Sequence, residues 1–244
     1  MRLAVFSAFP QELRGIVRNI KVGKSPEKSP LKIISGSYSS SEILLVQTGM
    51  GGGNAEAAFH PVVEEYRPDV IASVGFGGAL YNGASIGELV WASKVLSYDG
   101  TGIDAIEVPG AAEIAGRLSD RVEMHGGCVI TLGRRMKKSE VQRILPRGLP
   151  FAVCDMETFP LARLAIGSGL PFLGVRSVTD RAGEDIPEEL YDVCDEDGNY
   201  RLSRALGSLL RKPGLIPEAI KLGRASRLAS ENLWRVVKAL IEAL

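Results

Sequence analysis

The chain has 244 residues, 45% of them apolar, enough to bury one large core and within the range of a single α/β domain. Lys+Arg and Asp+Glu number 29 each, so no global charge attracts a phosphate polymer or an anionic bilayer, and nucleic acid is not an expected partner. Cys128, Cys154 and Cys194 form no CxxC pair and have only His60 and His125 to assist them, which indicates neither a disulfide framework nor a metal site.

Met1 leads directly into Leu3-Ala4-Val5-Phe6, without a charged segment followed by a long apolar one, and no apolar run reaches membrane-spanning length. A cytoplasmic protein is expected. Short β-branched or apolar runs follow at 3–6, 32–38, 43–47, 70–74, 89–96, 128–132, 151–154 and 172–178, with 21–30 read as an exposed loop. Amphipathic helical patterns stand between several of them, as at 55–66 and 159–167. This alternation predicts a three-layer α/β/α sandwich around a mostly parallel sheet, with 1–244 as one domain.

Two glycine-rich turns are expected after strands, at Thr48-Gly49-Met50-Gly51-Gly52-Gly53-Asn54 and at Gly75-Phe76-Gly77-Gly78. Glycine there lets backbone amides approach an anion or a sugar. A dinucleotide fingerprint would need its third glycine at position 54 or 80, where Asn54 and Leu80 stand. That demotes an NAD-dependent oxidoreductase, and no cofactor is expected. A second constellation, Val153-Cys154-Asp155-Met156-Glu157-Thr158, runs from a strand end into a helix, and Val175-Arg176-Ser177-Val178-Thr179-Asp180 ends another strand. Carboxylates at the carboxyl ends of strands lie on the rim where open α/β sheets bind ligands.

The tail differs from the body. Residues 1–200 hold 20 Lys+Arg against 26 Asp+Glu, whereas 201–244 hold 9 against 3. From about 213 to 244 an apolar face formed by Leu222, Ala225, Ala229, Leu233, Val236, Leu240 and Leu244 recurs at helical spacing, with Lys221, Arg224, Arg227, Arg235 and Lys238 off it. Such a helix either packs on its own domain or contacts a membrane surface or a partner.

Asp155-Met156-Glu157-Thr158, Gly169-Leu170-Pro171-Phe172 and Val175-Arg176-Ser177-Val178-Thr179-Asp180 together resemble the signature of the nucleoside phosphorylase and nucleosidase superfamily. The signature resembles that of the methylthioadenosine/S-adenosylhomocysteine nucleosidases, futalosine hydrolases and related phosphorylases. Ala8-Phe9-Pro10-Gln11-Glu12 stands where those hydrolases carry a catalytic glutamate, and the two glycine-rich segments match their Ser-Gly-Ile-Gly and Ser-Ala-Gly-Gly turns.

The resemblance implies cleavage of the N-glycosidic bond of a purine nucleoside of adenosine type. Glu157 would accept the ribose 2′ and 3′ hydroxyls, Met156 would pack under the sugar, Asp180 would protonate or hydrogen-bond N7, and Glu12 would activate water. Gly51, Gly75, Phe76, Gly77, Met136 and Thr179 would line the substrate, and a homo-oligomer, dimer or higher, is expected.

Departures from the family pattern leave alternatives open. Gly75 replaces a serine, Phe76 adds bulk, and the base-stacking segment reads Gly133-Arg134-Arg135-Met136-Lys137-Lys138, either a solvated helix start or a patch for an anionic substrate. Asp195-Glu196-Asp197-Gly198 and Leu209-Leu210-Arg211-Lys212-Pro213-Gly214 resemble the tail of the hopanoid-associated phosphorylases, which remove adenine from adenosylhopane. Phosphorolysis, with phosphate as second substrate, is therefore the alternative. Against it, Ser7-Ala8-Phe9-Pro10 stands where hexameric phosphorylases carry their phosphate loop, and Ser73-Val74 where they place an arginine. A non-catalytic nucleoside-binding protein is the alternative of another class.

Overall fold

Leu3 and Val5 pack to one side of the first strand and Ala4 and Phe6 to the other, and Ile43/Leu45 against Leu44/Val46 repeat the division. Period-two alternation with both faces apolar is the mark of a strand covered by helices on each side. The computed structural model describes residues 1–23, 31–191 and 211–244. In chain order these form β1 (Arg2–Ser7), α1 (Pro10–Val17), β2 (Lys21–Val22), β3 (Lys32–Tyr38), β4 (Ser41–Gln47), α2 (Gly52–Tyr66), β5 (Val70–Ala79), β6 (Leu89–Tyr98) and β7 (Ile103–Glu107). There follow α3 (Ala111–Leu118), β8 (His125–Leu132), α4 (Lys138–Ile144), β9 (Val153–Asp155), α5 (Thr158–Gly167), β10 (Phe172–Asp180), α6 (Glu188–Tyr191), a 3₁₀ turn (Pro213–Leu215) and α7 (Ile216–Ala243). Cys194, Asp195-Glu196-Asp197-Gly198 and Leu209-Leu210 lie outside the described residues.

The protein is an α/β fold with one mixed sheet between two helix layers. β4, β1, β5 and β10 pair in parallel, as do β6, β8 and β9. Antiparallel pairings join β5 to β9 and β10 to β6, so that β5, β9, β8, β6 and β10 close into a ring. Lys21 and Val22, expected in a loop, instead pair with Gly36 and Ser37 as an edge strand. Helices α2 and α5 cover one core, with Phe59, Val62, Leu161 and Ala165, while α1 and α7 cover the other, with Leu13, Ile16, Leu233 and Leu240.

The apolar face of α7 is this packing face: Ala225, Ala229, Leu233, Val236 and Leu240 are buried, Leu222 is half-buried and Leu244 is exposed. Use of the same face on a membrane is thereby removed. Of the tail cations, Lys221 pairs with Glu184, Arg227 with Glu231 and Lys238 with Glu242. Among the described residues no helix is long and apolar enough to cross a membrane.

Helix α7 also bears on α1, the helix that carries Glu12. Ser230 Oγ accepts from the Gly15 amide at 2.8 Å and donates to the Glu12 carbonyl at 3.2 Å. A Cβ on Gly15 would stand 2.2 Å from the Ser230 carbonyl oxygen, so the two backbones touch where only glycine fits. Gly15→Ala is therefore expected to cost about 1–3 kcal/mol by overpacking, read as a lower denaturation midpoint at unchanged slope.

Candidate active site

Glu12 occupies the first turn of α1, where the helix dipole favours an anion. Its Oε2 accepts from Ser7 Oγ at 2.6 Å and the Phe9 amide at 2.9 Å, and its Oε1 accepts from the Phe76 amide at 2.7 Å. The carboxyl is thus fixed by β1, the β1–α1 connection and β5 together. Burial pushes its pKa above the ordinary carboxylate value, against the pull of those three donors and of Arg176.

Gly75-Phe76-Gly77-Gly78 is not a turn but the continuation of β5. Its residues pair with Arg176, Ser177, Val178 and Asp180 of β10, and Gly78 also pairs with Cys154 of β9. The reason for glycine here is room for other side chains. A Cβ on Gly75 would lie 2.9 Å from Glu12 Oε1, and one on Gly78 would lie 2.9 Å from Asp180 Oδ2. The other glycine-rich segment is a turn as expected, and Gly51 adopts φ 98°, a region that disfavours any side chain. Its amide donates to Glu157 Oε1 at 2.6 Å.

Arg176 and Asp155, to which the motifs assign no role, anchor the site. β10 is buried at every position, and a guanidinium in such a strand requires a partner. Arg176 Nε donates to Asp155 Oδ2 at 2.8 Å and Nη2 lies 2.7 Å from the same oxygen, while the Nη1 and Nη2 donors meet the Ser73 and Val175 carbonyls and Ser73 Oγ. Asp155 also accepts from Thr131 Oγ1 and from the Thr158 amide and hydroxyl. This network ties β10, β5, β8 and the start of α5, and so sets the direction of Met156 and Glu157. Burial raises the Glu157 pKa, and the nearby Asp155 carboxylate adds to it against the Gly51 amide.

Asp180 ends β10 at 8% exposure. Thr179 Oγ1 donates to its Oδ1 at 2.7 Å, and Lys138 forms an ion pair with Oδ2. Burial raises the Asp180 pKa while Lys138 and Thr179 oppose the rise. The cationic run at 134–138 is therefore divided: Arg134, Arg135 and Lys137 are exposed, as a solvated helix start requires, but Lys138 is 5% exposed and buried in the site.

Glu12, Phe76, Gly77, Met136, Met156, Glu157, Thr179 and Asp180 line one cavity of about 820 Å³, together with the four cations of that run. Gly51 is not on this wall and reaches the site only through its amide on Glu157. Gly75 instead lines a second cavity of about 10 Å³, shared with Glu12, Glu157, Arg176, Ser73 and Thr48. The Cys154 thiol also lines the large cavity, but burial pushes it up to about 12, which leaves it neutral and no nucleophile.

An α/β sheet with the carboxyls of Glu12, Glu157 and Asp180 converging on one cavity has the form of an enzyme's small-ligand site. The chain belongs to the phosphorylase superfamily, whose family model matches residues 2–211. It is 22% identical over 218 residues to the 5′-methylthioadenosine/S-adenosylhomocysteine nucleosidase of Shewanella halifaxensis, covering 82% of this chain and 95% of that one.

Two solved structures share the fold. The 5′-methylthioadenosine/S-adenosylhomocysteine nucleosidase of Neisseria meningitidis, in complex with methylthio-immucillin-A, superposes with a TM-score of 0.71 at 18% identity, covering 100% of this chain and 99% of the other. The futalosine hydrolase of Helicobacter pylori superposes with a TM-score of 0.74 at 13% identity, over 100% and 98%.

Proposed function

We propose that the protein hydrolyses the N-glycosidic bond of a purine nucleoside of adenosine type. In this reading Glu157 accepts the ribose 2′ and 3′ hydroxyls, Met156 packs beneath the sugar, and Phe76, Gly77, Met136 and Thr179 face the base. Burial favours the neutral form of Glu157 in the empty site, and two hydroxyl donors beside the Gly51 amide favour its anion when sugar is bound. As the C1′–N9 bond lengthens the ribosyl carbon gains positive charge, which the surrounding carboxylates stabilise. Asp180 meets the charge developing on the base at N7, and Glu12 takes a proton from the attacking water.

The observation that carries the choice of water is the small cavity beside Glu12. Its volume of about 10 Å³, as room for a water's centre, is at the lower limit that admits a single water, and Glu12, Arg176, Ser73 and Thr48 provide polar partners on its wall. Inorganic phosphate is several times larger and would meet the Glu12 and Glu157 carboxyls, while the exposed cations Arg134, Arg135 and Lys137 line the other, large cavity. Phosphorolysis, with or without a lipid-linked nucleoside, is accordingly the weaker reading.

Adenosine, methylthioadenosine, S-adenosylhomocysteine and inosine, each incubated with the protein with and without phosphate, test the reading. Free ribose or its 5′-substituted form is the expected sugar product, at a rate indifferent to phosphate. Ribose 1-phosphate as the product would establish a phosphorylase instead, and absence of base release from all four would return the chain to a binding role.

A further inference from the structure

One buried titratable group touching Asp180 has no part in that scheme. Lys138 opens α4 with its side chain 6% exposed. Its ammonium meets Asp180 Oδ2, the Arg181 carbonyl at 2.5 Å and the Glu184 carbonyl at 2.8 Å, and its own amide donates to Asp185 Oδ1 at 3.0 Å. Three hydrogens thus meet three protein acceptors, so the ammonium reaches a ligand only through Asp180. A Cβ on Gly78 would come 2.9 Å from both Asp180 Oδ2 and Lys138 Cε, so β5 leaves room for this pair. Desolvating an ammonium is costly, and here the cost is offset by three acceptors, of which Asp180 alone also lines the large cavity as a titratable group.

We propose that Lys138 is a positioning residue for the purine-side acid, the Lys138–Asp180 pair jointly holding the one proton that passes through Asp180 to the departing base. This rests on the reading of Asp180 as the group that faces the base. As the C1′–N9 bond breaks, its electron pair goes to the purine. The proton shared by the pair is delivered from Asp180 to N7, which leaves Asp180 ionised and Lys138 a neutral amine. Water bonds to C1′ and gives its proton to Glu12. Solvent restores the proton of the pair and takes that of Glu12 once the products have left, so charge and atoms balance.

Burial raises the Asp180 pKa but Lys138 opposes the rise, so where the carboxyl is ionised the one proton of the pair resides on the ammonium, and the pair stays loaded where a carboxyl alone would be empty. The other charged or titratable groups facing it do not duplicate this. Glu184 is engaged by Arg181 and Lys221, Asp185 accepts the Lys138 amide, and Asp155 is held by Arg176. Cys154, from β9, donates to the Gly78 carbonyl, and Lys137 and Glu140 lie exposed on the α4 side.

The test is the pH profile of kcat/KM for whichever of the four nucleosides the wild-type chain cleaves fastest, with K138M and K138R beside D180N. Wild type is expected to hold its rate above about pH 8, and K138M to lose about a hundredfold there but about tenfold or less near pH 5, where the isolated Asp180 carboxyl can itself be protonated. K138R keeps a cation that does not release its proton, and is expected to lose about a hundredfold across the range. If K138M does not fold, K138R decides alone. A K138M loss that is uniform in pH, or a wild-type profile in either variant while D180N is inactive, overturns the proposal and leaves the assignment of Asp180 standing. An active D180N removes that assignment, and this proposal with it.

Discussion

Asp180→Asn is expected to lower kcat/KM by about two to four powers of ten, the usual worth of a positioned general acid. Asparagine is nearly isosteric, and its carbonyl oxygen can accept from Lys138 while its amide faces Thr179, whose hydroxyl turns to accept. The fold should therefore survive, with a thermal midpoint within a few degrees of wild type, and the loss should fall on kcat. The proposed role requires a proton on Asp180, so activity in wild type is expected to disappear as pH rises through the value of the group that holds the proton. Near-wild-type turnover by the variant would show that the base leaves without this acid.

Glu12→Gln should remove the base that accepts the water's proton, with a loss of about two to four powers of ten in kcat and little change in KM. The sign of the pH effect is opposite to that at Asp180. In the proposed role Glu12 acts ionised and burial raises its pKa, so the rate is expected to be lost as pH falls through that raised value. This substitution also has a structural cost. Both oxygens of Glu12 accept backbone amides, from Phe9 and from Phe76, and a glutamine must turn its own N–H₂ toward one of them. Leaving one buried donor unsatisfied costs about 1–3 kcal/mol. Denaturant unfolding and single-turnover kinetics on the same sample separate the two effects. A variant that is destabilised by this amount yet cleaves its nucleoside at the wild-type rate would assign the water to another base.

The order of strands and helices was readable because it rests on local periodicity. Leu3-Ala4-Val5-Phe6 and the run from Ile43 are short continuous apolar runs, as strands covered on both faces have, and the 55–66 and 159–167 patterns repeat with the period of a helix, whatever the rest of the chain does. The cavity-lining residues named from motifs, including Glu12, Met136, Glu157 and Asp180, meet on one cavity for the same reason: each sits beside a strand end whose position the pattern marks. Gly75-Phe76-Gly77-Gly78 predicts a turn because local propensity counts glycine against a strand, but pairing to β10 and β9 and the need to clear space for Glu12 and Asp180 outweigh it.

What the sequence by itself determined is therefore the α/β class, the family and the cavity-lining carboxyls. The tertiary structure decided what those groups touch. Closure of β5, β9, β8, β6 and β10 into a ring brings Arg176 against Asp155, which is 21 residues earlier in the chain. The apolar face of α7 is equally consistent with a membrane surface in the sequence, and its packing on α1 is a property of the fold alone. Lys138 is indistinguishable in the sequence from its neighbours Arg134, Arg135 and Lys137, and only the fold buries it on Asp180. The physical reason is that periodicity is a property of neighbouring residues, whereas the environment of a charge is set by whichever distant segments fold around it.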